Sequence, residues 1–229
     1  MALKNLHLPA SRMILIAAVA GLLAGAAAVY VTSEGDGNNA SSPLLAAEEA
    51  KCASRQEFAD AVAAAATGEV AAMLAASPPR PVADLSFQAP DGAPISVRKF
   101  AGKTILMNLW ATWCAPCRAE MPALDALQKQ RGGEDFEVVA VNVDTGDDTK
   151  PKKFLAETGV ESLAYYRDNT LALFNDLKKR SLALGLPVTL LIDEEGCLLA
   201  HMNGPAEWNS PDALRLVDAA RRGATAQAR

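Results

Sequence analysis

The chain has 229 residues, half of them hydrophobic, enough for one domain of ordinary size plus additional segments. Its net charge is −5; residues 1–31 hold Lys4 and Arg12 but no acid, so residues 32–229 carry 20 basic against 27 acidic side chains. That balance argues against a nucleic-acid binder, which needs basic patches. Four cysteines are too few for a disulfide-dense miniprotein, and with only His7 and His201 beside them a four-ligand zinc site is poorly supplied.

Residues 13–31, MILIAAVAGLLAGAAAVYV, hold no charge. As a helix they span roughly 28 Å, close to the ~30 Å hydrocarbon core of a bilayer. Lys4 and Arg12 precede them and Glu34 and Asp36 follow, which predicts a cytoplasmic N-terminus over 1–12, a single transmembrane anchor over 13–31 and an exported remainder. A cleaved secretory signal is the competing reading, with Ala24-Gly25-Ala26 or Ala26-Ala27-Ala28 as the cut, although its apolar region is usually only about 7–15 residues. Both readings place the cysteines in an oxidising compartment, here a bacterial periplasm.

Residues 32–45, rich in Gly, Ser, Asn and Asp, read as a linker. Residues 46–76 read as a helical extension, one or two helices with Cys52 near the start, stopped by Ser77-Pro78-Pro79-Arg80-Pro81. Leu85–Gln88 and Pro94–Val97 flank Asp91-Gly92 as a hairpin. Thr104–Trp110 (TILMNLW) and Phe136–Val143 are apolar runs of strand length, as expected of strands buried on both faces. Helices follow over 115–131, 150–157 and 171–179. Val188–Ile192 and Cys197–Met202 form a second hairpin around Glu194-Glu195-Gly196, and a helix over 210–222 closes the chain. Strands alternating with helices predict an α/β sheet with parallel pairs and antiparallel edges.

Trp113-Cys114-Ala115-Pro116-Cys117 falls where a buried strand ends and a helix begins. A thiolate is the nucleophile of disulfide exchange, and a free thiol with pKa near 8.5 is mostly protonated at neutral pH. A helix N-terminus offers unpaired N–H groups and partial positive charge, both of which favour the thiolate. Cys114 is therefore expected to stand exposed at that terminus and attack. Cys117, one turn inward and more buried, would resolve the mixed disulfide. Pro116 lies in the first turn, where no ladder hydrogen bond is lost. Arg118 rather than His follows Cys117, so haem attachment is excluded. Trp113 is expected to form apolar surface beside Cys114, and Trp110 to pack in the core. Glu120 follows Cys117 by three residues on the same helix face, where a partly buried carboxylate would have a raised pKa and could take the proton of Cys117. Pro187, just before the strand 188–192, sits where a missing N–H is tolerated; on residue statistics alone it is an ordinary trans proline.

The segment Asn108-Leu109-Trp110-Ala111-Thr112-Trp113-Cys114-Ala115-Pro116-Cys117-Arg118-Ala119-Glu120-Met121-Pro122 resembles the active-site segment of the exported, membrane-anchored thioredoxin-like reductases. These include the cytochrome c maturation and TlpA-type thiol:disulfide interchange proteins. Gly196-Cys197 and Gly204-Pro205-Ala206-Glu207-Trp208 extend the likeness, which covers nearly the whole chain. The resemblance implies a thioredoxin-like domain over 46–229, a cis bond before Pro187, a proton-accepting role for Glu120 and a structural disulfide between Cys52 and Cys197. It departs from ordinary thioredoxins at Asn108, where they keep a buried Asp. It implies no cofactor and no resident metal.

Ala115-Pro116 places no charge between the cysteines, which favours a reducing enzyme. A reductase in an oxidising compartment needs electrons from across the membrane, so the resemblance implies a membrane donor of CcdA or DsbD type. Its implied substrates are a copper chaperone and a cytochrome oxidase subunit of the Cu(A) site, or apocytochrome c. A disulfide donor or isomerase, a copper-binding chaperone using the same cysteine pair, and a peroxidase-like domain are the competing functions. The chain is expected to be a monomer.

Overall fold

The computed structural model describes residues 43–227, with side chains described as far as Arg221. The segments read as cytoplasmic N-terminus and anchor, and most of the linker, lie outside the described residues. Among the described residues no helix is long and apolar enough to cross a membrane. The second of the chain's two units, residues 46–229, carries the sheet.

The elements run α1 (Pro43–Ala53), α2 (Gln56–Ala64), β1 (Leu74–Pro81), β2 (Ser86–Gln88), β3 (Pro94–Ser96), β4 (Thr104–Trp110), α3 (Ala115–Arg131), β5 (Phe136–Asn142), α4 (Thr149–Thr158), β6 (Tyr166–Arg167), α5 (Ala172–Lys179), β7 (Val188–Ile192), β8 (Cys197–Asn203) and α6 (Pro211–Gln227). All eight strands form one sheet in the order β1-β8-β7-β4-β5-β6-β2-β3. Every residue of β4 and of β7 is buried, which is why these runs are almost wholly apolar. β4 pairs parallel with β5 and antiparallel with β7, with Leu109 opposite both Val141 and Val188. The C-terminal ends of β4 and β5 and the start of β7 therefore meet at one end of the sheet.

Two boundaries depart from the sequence expectation. Pro43–Leu45 belong to the first turn of α1 rather than to the linker; proline suits a first helical turn because its missing N–H would be unpaired there anyway. Residues Ser77–Pro81, expected only to stop the helices, lie in β1. That strand is at the sheet edge, and its pairing with β8 slips between Ala75 and Arg80, the stretch that holds Pro78 and Pro79. An edge strand with an irregular register has little need of the missing N–H groups.

The N-terminal helices are fixed at the far end of β8. Cys52 of α1 is disulfide-bonded to Cys197, the first residue of β8, with Cα atoms 5.3 Å apart. Arg55, between α1 and α2, is buried against the β7–β8 turn, with Nε 2.8 Å from Asp193 and Nη2 3.1 Å from Glu194. Gly196 in that turn has φ +82°, and a Cβ there would lie 2.8 Å from the Cβ of Ala83, so both conformation and space call for glycine.

Candidate active site

β4 delivers the chain to the sheet end, and a short loop carries it into α3. The loop is held by Asp144, whose carboxylate accepts hydrogen bonds from Thr112 N (2.8 Å), Thr112 Oγ1 (2.7 Å) and Asn142 Nδ2 (2.7 Å). Cys114 is the N-cap of α3, and its Sγ accepts a hydrogen bond from the N–H of Cys117 at 3.3 Å. The helix therefore presents to this sulfur the donor that would stabilise a thiolate. Cys114 and Cys117 are disulfide-bonded, so this is the oxidised state.

Cys114 is 6% exposed and Cys117 fully enclosed. The expected order holds between the two, but Cys114 is not freely exposed. Trp113 beside it is 64% exposed. Ala115 and Pro116 form the exposed first helical positions. Trp113, Thr112, Arg118, Asp144, Lys150 and Phe154 are among the residues lining a groove of about 760 Å³ next to the disulfide.

Glu120 is only 3% exposed, far more buried than the sequence suggests. Its Oε1 accepts from Asn108 Nδ2 at 2.8 Å, and its Oε2 accepts from Trp208 Nε1 at 3.0 Å and from Ala206 N at 3.1 Å. Burial pushes its pKa up to about 7, against the three hydrogen bonds, which pull it down. Asn108 also donates to Thr189 Oγ1 at 3.0 Å, tying β4 to β7. The Leu186–Pro187 bond is cis, and the carbonyl of Pro187 accepts from Gly204 N at 2.9 Å.

The fold thus gathers Cys114, Cys117, Glu120 and Pro187 at one end of the sheet. Cys52 and Cys197 lie at the other, because β7 leads from Pro187 at one end to the turn before Cys197 at the opposite end. Trp110 is buried against Phe154, with ring centroids 5.7 Å apart. His201 is half-buried on β8, and burial lowers its pKa. Trp208, Ala206, Thr189 and Asp144 were not assigned to the site by sequence reasoning. The one available signal was the indole of Trp208, whose N–H must find a partner if the ring is buried. Among the described residues no three His, Cys, Asp or Glu side chains converge as a metal-holding group.

Residues 76–217 match the family model described as Redoxin. The chain belongs to the Redoxin family. This Redoxin-family chain is 34% identical over 118 residues to the thioredoxin-like protein YneN of Bacillus subtilis (strain 168), covering 50% of this chain and 65% of YneN. It is 29% identical over 128 residues to the thiol-disulfide oxidoreductase ResA of Halalkalibacterium halodurans, covering 56% of this chain and 69% of ResA. The chain thus spans about two thirds of the length of these curated relatives. Among solved structures, a thiol:disulfide interchange protein of the thioredoxin family from Chlorobium tepidum TLS aligns with a TM-score of 0.52 and 27% identity, covering 64% of this chain and 99% of that one. The α/β fold is thioredoxin-like.

Proposed function

We propose that this Redoxin-family protein is a thiol:disulfide oxidoreductase that works as a TlpA-type reductase in the bacterial periplasm, held to the inner membrane by residues 13–31. The observation that carries the reading is the Cys114–Cys117 pair at the N-terminus of α3, with the buried carboxylate of Glu120 one turn further along the same helix.

The reaction follows from that placement. In the reduced enzyme the Cys114 thiolate attacks a partner's disulfide, forming a Cys114–partner bond and releasing one partner thiolate. Glu120 takes the proton of Cys117. The Cys117 thiolate then attacks Cys114 Sγ, closes the enzyme disulfide and releases the second partner thiolate. Two electrons pass to the partner, whose two thiolates take up one proton from Glu120 and one from solvent, and a membrane donor of CcdA or DsbD type restores the dithiol. The groove beside Trp113 and the loop at Pro187 supply docking surface for the partner chain. The neutral Ala115-Pro116 pair supports the reducing direction. The resemblance to TlpA-type proteins supports copper-site substrates, a copper chaperone and the Cu(A) subunit of cytochrome oxidase. The wider family supports cytochrome c maturation.

The reduction potential tests this, measured by equilibration with dithiothreitol or glutathione, with Cys114→Ser as control. A value near or below thioredoxin's, roughly −270 mV, supports a reductase. A value near roughly −120 mV would make the protein a disulfide donor instead.

A further inference from the structure

Glu120 sits in a pocket whose donors are all neutral. The groups that bond to it are Asn108 from β4 and Ala206 and Trp208 from the loop between β8 and α6, with Thr189 of β7 behind Asn108 and Cys117 three residues earlier on its own helix. Among the described residues no charged side chain contributes to its titration. Arg118, nearby on α3, turns instead to the carbonyl of Thr112 at 3.0 Å. Neutral hydrogen bonds alone therefore oppose the cost of ionising a buried carboxylate, and each of them matters. An ionised carboxylate only accepts, so it suits all three donors; a protonated one gives up part of that capacity.

Of the three, Trp208 is the donor that a substitution can remove without touching the strand beneath the cysteines or the backbone. Its ring is fully buried, and its indole N–H makes a 3.0 Å hydrogen bond to Glu120 Oε2. The loop that carries it starts at Gly204, whose φ is +110° and whose N–H is bonded to the Pro187 carbonyl. One short segment therefore supports both the partner-facing loop and the buried carboxylate.

We propose that Trp208 is a positioning residue that holds Glu120 in its ionised, proton-accepting form through the indole N–H. The inference rests on Glu120 as the acceptor of the Cys117 proton. Losing one hydrogen bond to a charged group raises the midpoint of that carboxylate by about one to two pH units, a tenfold to hundredfold smaller ionised fraction below the midpoint.

The test is stopped-flow reduction of a chromogenic aromatic disulfide by the full chain, reduced and solubilised in mild detergent. The first thiol released reports attack by Cys114, and the second reports resolution by Cys117. Trp208→Phe keeps an aromatic ring and loses the N–H. Its expected effect is a resolution profile displaced to higher pH by about one to two units with the attack profile unmoved, and no added effect in a Glu120→Gln background. A Trp208→Phe profile that keeps the wild-type inflection, whatever its height, overturns the inference while leaving Glu120 as acceptor. An inflection that persists in Glu120→Gln removes the acceptor role itself, and the inference with it. If Trp208→Phe does not fold, the indole N–H resonance of Trp208 in the oxidised wild-type chain decides. It should titrate with Glu120 and stay flat in Glu120→Gln, and a flat wild-type resonance overturns the proposal.

Discussion

Glu120→Gln should make the stability of the oxidised protein less dependent on pH. In the folded chain the carboxyl titrates at about 7, and its ordinary value is 4.5. Between those values the unfolded chain has lost the proton and the folded chain keeps it, so folding stability falls as pH rises through this window and levels off above it. At about 1.4 kcal/mol per pH unit the whole fall is about 3 kcal/mol. Glutamine has nearly the same shape and no such titration. Its oxygen can face Trp208 and Ala206, and its amide can meet the oxygen of Asn108 if that amide turns end for end. Asn108 Oδ1 is buried without a hydrogen-bond partner among the described residues, so the turn sacrifices no existing bond of that atom. Asp193 also has a raised pKa, about 6, chiefly from burial, but it is present in both proteins and cancels in the comparison. Denaturant unfolding of both chains with their disulfides intact, at pH 4.5, 6 and 8, measures the difference. The variant should gain about 3 kcal/mol relative to wild type across that range. A difference that stays constant with pH would refute the claim that burial raises the midpoint of this carboxyl.

Asn108→Asp puts a second carboxyl 2.8 Å from Glu120 Oε1, where two like charges cannot both form cheaply. The pair should titrate in two coupled steps, and the resolution profile should move upward by more than about one pH unit; an unmoved profile would count against direct contact between the two side chains. The Cys52–Cys197 disulfide closes a loop spanning 145 positions. Replacing both cysteines by Ala should cost roughly 2–5 kcal/mol in denaturant unfolding and leave the disulfide reductase rate unchanged, and in graded dithiothreitol this bond should persist after Cys114–Cys117 has opened. Equal loss of both bonds would contradict the electrostatic contrast between them.

The central strands were legible because burial on both faces leaves a pattern that little else produces: TILMNLW and VTLLI carry almost no side chain that prefers water. The paired cysteines were legible because strand-to-helix placement and thiolate chemistry require each other. β1 was not, since three prolines read as an interruption, and only its place at the sheet edge makes them tolerable. β6 is two residues long and exists through its neighbours β5 and β2. The environment of Glu120 was the larger omission. Its i to i+3 relation to Cys117 is local and readable, but Ala206 and Trp208 lie 86 and 88 positions away, and no local pattern reports a contact made by tertiary packing.

The two disulfides differ in where the helices place their sulfurs. Cys114 caps the N-terminus of α3, whose N–H groups and partial positive charge favour a thiolate. Cys52 lies in the last turn of α1, near the pole that disfavours one. Its partner Cys197 follows Asp193, Glu194 and Glu195, and the cations beside these acids are already engaged, Arg55 with all three at 2.8 to 3.6 Å and Lys51 with Glu195 at 3.2 Å. A thiolate leaving from Cys52 or Cys197 would form against this field, whereas one leaving from Cys114 forms with the helix in its favour. A low-pKa leaving thiol departs faster and stabilises the reduced form. The same chemistry therefore makes one bond exchangeable and the other durable, and the sheet keeps them at opposite ends. This lets the protein cycle its working pair while the N-terminal helices stay fastened.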